Sequence, residues 1–239
     1  MRPTALILLY IVLGLAEIVC EGVGFTTGVY VFKPLMMVVL LVLYLRVSSG
    51  HRRPVHKFMA GALVLSWFGD VFLMVKHLNE ELLFLLGLSS FLIAHLFYVL
   101  AFSRTEGDDE RFPGLRTQPW AALLLGGYGI GLILWLSQRG NEAFTAMQVP
   151  VMVYASVILL MVLFAVGRRG RVNAGSYGRV LAGALMFAAS DSVIALNTFT
   201  PLFEGNAFLA RVIIMTLYLG GQMSIALGML DQFELRGER

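Results

Sequence analysis

Long apolar runs follow one another along this chain and constrain its fold more than any other feature. Each run is about 16 to 23 residues long, enough for a helix to cross a hydrocarbon core about 30 Å thick. The eight runs are 4–20, 29–46, 58–75, 82–103, 119–137, 146–166, 180–199 and 207–229. Hydrophobic residues make up 58% of the 239 residues, which leaves no length for a separate soluble domain. We predict an all-α, polytopic membrane bundle of eight transmembrane helices, forming one domain over residues 1–239.

Most lysine and arginine residues fall on the side of the membrane where the N-terminus lies. Those on that side are Arg2; Arg46, Arg52, Arg53 and Lys57; Arg104, Arg111 and Arg116; Arg168, Arg169, Arg171 and Arg179; Arg236 and Arg239. Because cytoplasmic loops carry the excess of basic residues, we expect both termini in the cytoplasm and, in a bacterium, an inner-membrane protein. The first run is read as a helix, since Glu17 to Cys20 offers no small-x-small signal-peptide cleavage site. A net charge of +3 gives no support for nucleic-acid binding.

Two aspartates stand alone inside these runs, Asp70 in the third and Asp191 in the seventh. A charged side chain at the centre of a bilayer costs at least about 2.5 kcal/mol, so an intramembrane carboxyl is by default a candidate functional group. Counted from the cytoplasmic basic residues at about 1.5 Å per helical residue, both aspartates lie roughly 18 to 20 Å into the membrane. They are the first candidates for a catalytic pair.

Other polar side chains converge on the same layer. Lys33, Tyr154 and Glu17 lie near the level of the aspartates, and His95 and Gln222 lie about one to two turns nearer the cytoplasm. The convergence of several polar residues on one layer is stronger evidence for a shared polar cavity than any one of these residues alone. The sequence therefore predicts that the aspartates line one cavity.

Short similar segments indicate an internal duplication. Gly61-Ala62-Leu63 precedes Asp70 much as Gly183-Ala184-Leu185 precedes Asp191, and Pro34 and Pro150 begin similar segments in the second and sixth runs. Two halves with four helices each would be parallel repeats, with one aspartate from each near a pseudo-twofold axis. We predict such repeats at residues 1–116 and 117–239.

Motifs in five of the predicted helices resemble a known family. They are Phe32-Lys33-Pro34; Ser66 with Gly69-Asp70; Phe84, Gly87, Phe91, His95 and Tyr98; Gly183-Ala184, Phe187 and Ser190-Asp191; and Tyr218-Leu219-Gly220-Gly221-Gln222. In order and spacing they are similar to the YhhN-like family of lysoplasmalogenases. The resemblance implies an integral membrane hydrolase that cleaves the vinyl ether bond of lysoplasmalogens to a fatty aldehyde and glycerophospho-ethanolamine or glycerophospho-choline. Its partners would be a lysophospholipid substrate and the surrounding membrane lipids; the oligomeric state is left open.

The residues suit that chemistry. An enol ether hydrolyses by protonation of its β-carbon, which gives an oxocarbenium ion that water captures; the site needs an acid and an anion. Two carboxylates in one cavity of low dielectric do not both ionise at neutral pH, so one of Asp70 and Asp191 would hold the proton. Which of them is the acid is left open. No cofactor and no metal are expected, because the sequence has no His-Glu-x-x-His motif and no cysteine cluster.

Further residues are candidates for contacts to the lysolipid, and each also has a purely structural interpretation. They are Lys33, His95, Tyr98, Tyr154, Ser190, Tyr218 and Gln222. Lys33 either neutralises an aspartate or holds the substrate phosphate. His95 and Tyr98, three residues apart on one helix face, either bond between helices or contact the head group. For Ser190, a hydrogen bond to the backbone is favoured over a contact to the lysolipid.

Other functional classes remain open. A proton- or cation-coupled transporter of small solutes or lipids also uses intramembrane acids near a repeat interface, although it typically has helix breaks beside the site. An intramembrane aspartyl protease uses two aspartates, yet Trp67 stands where its Gly-x-Gly-Asp motif has glycine. A noncatalytic lipid-binding protein would be favoured if the aspartates lay far apart.

Overall fold

The structure is a computed structural model that describes residues 2–50, 54–104 and 118–234. The described residues form eight long helices and no strand. The helices are α1 (Pro3–Gly22), α2 (Thr26–Ser48), α3 (Pro54–Met74), α4 (Glu80–Phe102), α5 (Pro119–Arg139), α6 (Glu142–Val166), α7 (Ala174–Phe199) and α8 (Ala207–Glu234). All eight contain a stretch long and apolar enough to cross a membrane. The predicted all-α, eight-helix membrane protein is confirmed.

Capping residues place two helix starts earlier than the apolar runs do. Asn141 accepts a hydrogen bond from the backbone N–H of Phe144, so α6 begins at Glu142. Asn173 accepts one from the N–H of Ser176 in the same way, and α7 begins at Ala174. An asparagine side chain at this position satisfies one of the free N–H groups of the first turn. Hydropathy alone does not report these polar first turns.

The chain divides into two compact units, residues 1–101 and 102–239. The first contains α1 to α3 and nearly all of α4, and the second contains α5 to α8. The repeat relationship and the cytoplasmic location of the termini stay predictions. Arg52, Arg53, Arg111, Arg116, Arg236 and Arg239 lie outside the described residues.

In the first unit, α2 and α3 run antiparallel, with contacts at two levels. The indole N–H of Trp67 donates to the backbone carbonyl of Pro34 at 3.2 Å. Nearer the other ends of the two helices, the Tyr44 hydroxyl and His56 Nδ1 are 2.9 Å apart. These bonds fix the register of the pair, so Lys33 lies at the level of Trp67.

Glycines permit the close approach of α3 and α4 beside Asp70. A Cβ atom at Gly69 would lie 2.6 Å from the ring of Phe91, and one at Gly87 would lie 2.7 Å from the side chain of Leu73. In both cases the neighbour is a side chain. The absence of a Cβ atom is what allows these large apolar groups to sit against the helix backbone.

In the second unit, glycines bring the backbones of α7 and α8 together. A Cβ atom at Gly183 would lie 2.7 Å from the carbonyl oxygen of Gly221, and one at Gly221 would lie 3.0 Å from the carbonyl oxygen of Gly183. The Ser176 hydroxyl donates to the carbonyl of Gly228 at 2.6 Å and holds the same pair of helices. The glycines of the two motifs in these helices therefore serve helix packing.

Candidate functional site

Asp191 of α7 carries a small polar network in the second unit. The Tyr154 hydroxyl of α6 donates a hydrogen bond to Asp191 Oδ2. Beside it, the Tyr128 hydroxyl of α5 donates to Ser192 Oγ at 2.6 Å, and Ser192 Oγ donates to the carbonyl of Ala188 at 2.7 Å. Three helices thus place a carboxyl group, two phenols and a serine hydroxyl together within an apolar environment.

A cavity of about 40 Å³ opens beside this network. Tyr128, Tyr154, Asp191 and Ser192 supply its polar lining, and Leu132, Ile158 and Ala188 are among its apolar residues. A water molecule needs about 10–15 Å³ of such space and two to four polar partners. The cavity meets both conditions, so Asp191 lies where a carboxylate can orient a water molecule.

The ends of α6 and α7 set the register that brings Tyr154 to Asp191. The backbone N–H of Asn141 donates to the carbonyl of Phe199 at 2.9 Å, and its side-chain amide donates to the carbonyl of Thr198 at 3.2 Å. From this fixed end Tyr154 lies 13 residues along α6 and Asp191 eight residues back along α7, and the long tyrosine side chain, directed toward the start of its helix, spans the difference. The middle of α6 therefore faces the aspartate of α7.

Asp70 lies in a different environment in the first unit. Its side chain is only 4% exposed. Tyr10 of α1 is within electrostatic range of both Asp70 and Tyr98 of α4, and the two tyrosines are buried. Each aspartate therefore has a tyrosine of a neighbouring helix near it in its own unit.

A second acidic side chain is buried in the first unit. Glu17 of α1 is fully buried, and neither of its carboxyl oxygens has a hydrogen-bond partner among the described residues. Lys33, which is half-buried on α2, and Glu21 are within electrostatic range of Glu17. Lys33 thus has an acidic neighbour on α1, whereas the sequence had suggested an aspartate as the group that it neutralises.

The remaining predicted residues lie in helix contacts. The Ser190 hydroxyl donates to the carbonyl of Ile214 at 3.1 Å and so ties α7 to α8, in line with its predicted backbone bond. The rings of Tyr218 and Phe187 pack edge to face with centroids 5.3 Å apart. His95 and Gln222 are fully buried, each within its own unit.

Sequence reasoning missed two tyrosines near the aspartates and one serine. Neither Tyr10 nor Tyr128 stands in a sequence motif that would mark it as a site residue. A tyrosine inside an apolar run nevertheless indicates a polar contact, because its hydroxyl usually needs a hydrogen-bond partner. Ser192 follows Asp191 directly, but successive residues on a helix do not share a face. Only the helix register shows that Ser192 meets Tyr128.

In the described ranges, no group of three or more His, Cys, Asp or Glu side chains comes together as a metal site. The polar groups that do come together are carboxyls and hydroxyls. Their arrangement suits proton transfer and the orientation of water.

The family model described as the YhhN family matches residues 28–229. This chain belongs to the YhhN family. The match runs from the start of α2 almost to the end of α8, so the predicted family is confirmed across the helices that carry both aspartates.

Curated relatives point in the same direction. The chain is 33% identical over 175 residues to lysoplasmalogenase TMEM86B of Homo sapiens, 31% identical over 179 residues to that of Sus scrofa, and 32% identical over 172 residues to that of Mus musculus. The matches cover 73%, 74% and 72% of this chain, and 64%, 66% and 63% of the respective relatives. This YhhN-family chain thus spans slightly less than two thirds of the length of the relatives. No solved structure matches it.

Proposed function

We propose that this chain is a lysoplasmalogenase, an intramembrane hydrolase that cleaves the vinyl ether bond of lysoplasmalogens. Its family and the names of its curated relatives support that activity. The observation that carries the proposal is the Asp191 carboxyl group, which accepts a hydrogen bond from Tyr154 at the wall of a cavity with room for water. The products would be a fatty aldehyde and glycerophospho-ethanolamine or glycerophospho-choline.

The reaction needs no group beyond an acid, a base and water. A proton is added to the β-carbon of the vinyl ether, and the electron pair of the double bond forms the new C–H bond. The resulting oxocarbenium ion takes up water, which loses a proton to give a hemiacetal. The hemiacetal then collapses: its hydroxyl proton passes to the deprotonated acid, the C–O bond to glycerol breaks with its electron pair on the glycerol oxygen, and that oxygen takes the proton held by the base. One water molecule is consumed, and both the acid and the base are regenerated.

Asp191 is the group that we propose to act as the carboxylate. Tyr154 donates to it, and a donated hydrogen bond suits a carboxylate, which only accepts. A carboxylate beside the α-carbon would stabilise the oxocarbenium charge in a site of low dielectric, and it would accept the proton of the attacking water. Glycosidases use a carboxylate in the same way against a similar cation.

Asp70 is the group that we propose as the general acid. An acid has to carry its proton before it meets the substrate, and a buried carboxyl group within hydrocarbon is costly to ionise. Its 4% exposure supports this role, and Tyr10 and Tyr98 carry hydroxyl groups within the same unit that can relay a proton.

We further propose that Lys33 contacts the substrate phosphate, because it is a half-buried cation with no ion pair within 4 Å among the described residues.

The test is aldehyde release from alkenyl-lysophosphatidylethanolamine and its choline analogue by the purified, detergent-solubilised protein. The proposal expects activity from the wild type and loss of most of it in Asp70→Asn and Asp191→Asn. Asp231→Asn is a matched control, since Asp231 forms an ion pair with Arg179 near the end of α8 and a surface pair contributes little. A wild type inactive on both substrates contradicts the proposal, and proton-coupled transport in liposomes then becomes the next assay.

A further inference from the structure

An apolar cleft runs along one face of the α5–α6 pair, and the residues that line it have no role in the proposed reaction. Its volume is about 540 Å³. Gly126, Ile130 and Leu134 of α5 line one side, and Met152 and Leu163 of α6 line the other. Ile130 is 64% exposed and Met152 is 44% exposed, so the cleft is open along its length.

The cleft offers almost no unsatisfied polar group. Its one hydroxyl side chain, Ser156, donates to the carbonyl of Met152 within α6 at 2.8 Å. A polar solute would gain no partner there to replace the water that it loses. A hydrocarbon chain loses nothing by entering, so the lining favours an aliphatic occupant.

A thin partition separates the cleft from the cavity at Asp191. Gly129, Ile133, Ala155 and Leu159 line both spaces. Two of the four are small, and Leu159 covers the glycine: a Cβ atom at Gly129 would lie 2.5 Å from Leu159 Cδ1. The Leu159 side chain can change rotamer without any movement of the backbone. A lipid chain in the cleft therefore has its shortest path to the Asp191 carboxyl group at Gly129 and Leu159.

The length of the cleft fits one lipid chain. Its lining on α5 extends from Ala122 to Leu134, which corresponds to about 18 Å along the helix. The two leaflets together make a hydrocarbon core about 30 Å thick, so a single chain spans about 15 Å. A lysolipid has one such chain, whereas a diacyl lipid would leave its second chain outside.

We propose that the α5–α6 cleft binds the alkenyl chain of the lysolipid, with the vinyl ether at the partition formed by Gly129 and Leu159. This inference rests on the proposed function and adds the subsite that selects a single-chain lipid. The cleft also accounts for access, because a substrate dissolved in the bilayer reaches Asp191 from the side without leaving hydrocarbon.

Two glycines of α5 provide a matched pair of variants. A side chain at Gly126 would project into the cleft, whereas Gly131 lies outside its lining; a Cβ atom at either would meet nothing within 4 Å. We expect Gly126→Phe to lower kcat/KM for a long-chain lysoplasmalogen about tenfold, because the phenyl group takes up the space that the chain would fill. A short-chain substrate should lose less, and Gly131→Phe should match the wild type on both. Equal effects of the two variants would overturn the proposal.

A binding measurement separates this inference from the reaction. The probe is an alkyl lysophospholipid, which lacks the reactive double bond, with a photoreactive diazirine in its chain. Labelling concentrated on α5 and α6 and competed by unlabelled lysolipid supports the cleft, even if the wild type releases no aldehyde and the proposed reaction fails. Labelling spread evenly over the helices, or competed equally well by a diacyl phospholipid, overturns it.

Discussion

The two intramembrane aspartates lie in unlike surroundings. Asp191 is half-buried, accepts a hydrogen bond from Tyr154 and borders a cavity with room for water. Asp70 is 4% exposed and lies in a unit where glycine-packed helices bring large apolar side chains close to it. An equal pair of catalytic carboxyls would not need this difference. The second unit thus gives its aspartate space for a water molecule, whereas the aspartate of the first unit is almost fully buried.

Replacing either aspartate by asparagine should give the largest effect and test whether both units are needed. We expect Asp70→Asn and Asp191→Asn each to lower kcat by about 10²–10⁴-fold, the usual contribution of a positioned acid or base. The double variant should lose little more than the worse single one, because groups that act as a unit are not additive. Asparagine keeps the size of the side chain, and the thermal unfolding midpoint verifies that each variant is folded. An active Asp70→Asn protein would confine the chemistry to the second unit.

Removing single hydroxyls should sharpen the comparison. Tyr154→Phe deletes the hydrogen bond to Asp191, and a bond to a charged group is worth about 1.5–3 kcal/mol, so kcat should fall about 10- to 100-fold. Tyr10→Phe deletes a hydroxyl in electrostatic range of Asp70, and its effect should be smaller. Aldehyde release at saturating substrate measures both. A larger loss for Tyr10→Phe would reverse the roles that we propose for the two aspartates.

Much of the fold could be predicted from the sequence, because the bilayer dictates helix length and leaves few alternatives to a bundle. All eight helices were predicted. The predicted starts of α6 and α7 were four and six residues late, because Asn141 and Asn173 cap polar first turns that hydropathy does not detect, and the predicted end of α8 was five residues early. The isolation of Asp70 and Asp191 in apolar runs also needed no structure. A charged side chain within an apolar run is visible in the sequence itself, and its cost in hydrocarbon marks it as a candidate functional group.

The neighbours of the aspartates could not be predicted in the same way. Whether Tyr154 faces Asp191 depends on the register of α6 against α7, which Asn141 fixes from the far end of both helices. A shift of one residue turns a side chain by about 100° around its helix. Tyr128, Ser192 and the α5–α6 cleft depend on the same register and were therefore missed.

Glycine variants should reveal a further, smaller difference between the units, in the free energy of unfolding that each variant loses. Gly183→Ala would place a Cβ atom 2.7 Å from the backbone oxygen of Gly221, so α7 and α8 have to separate, at about 1–3 kcal/mol. Gly69→Ala would meet the ring of Phe91, a side chain that can turn aside, and should be less destabilising. Thermal unfolding in detergent compares the two, with Gly178→Ala as the control on α7, where a Cβ atom meets nothing within 4 Å. Equal losses would mean that the α3–α4 packing beside Asp70 is as rigid as the α7–α8 packing.

The smallest effect should come from Glu17, the other buried carboxyl of the first unit. Neither of its oxygens has a hydrogen-bond partner among the described residues, so Glu17→Gln removes an ionisable group without breaking a bond. We expect kcat to stay within about twofold and the unfolding midpoint to change little, because an isosteric amide is no harder to bury than a carboxyl group. Lys33 is in electrostatic range of Glu17, so KM for the phosphate-bearing substrate is the parameter most open to change. A tenfold fall in kcat would place Glu17 with Asp70 in the chemistry and contradict the proposal that Asp70 alone supplies the proton.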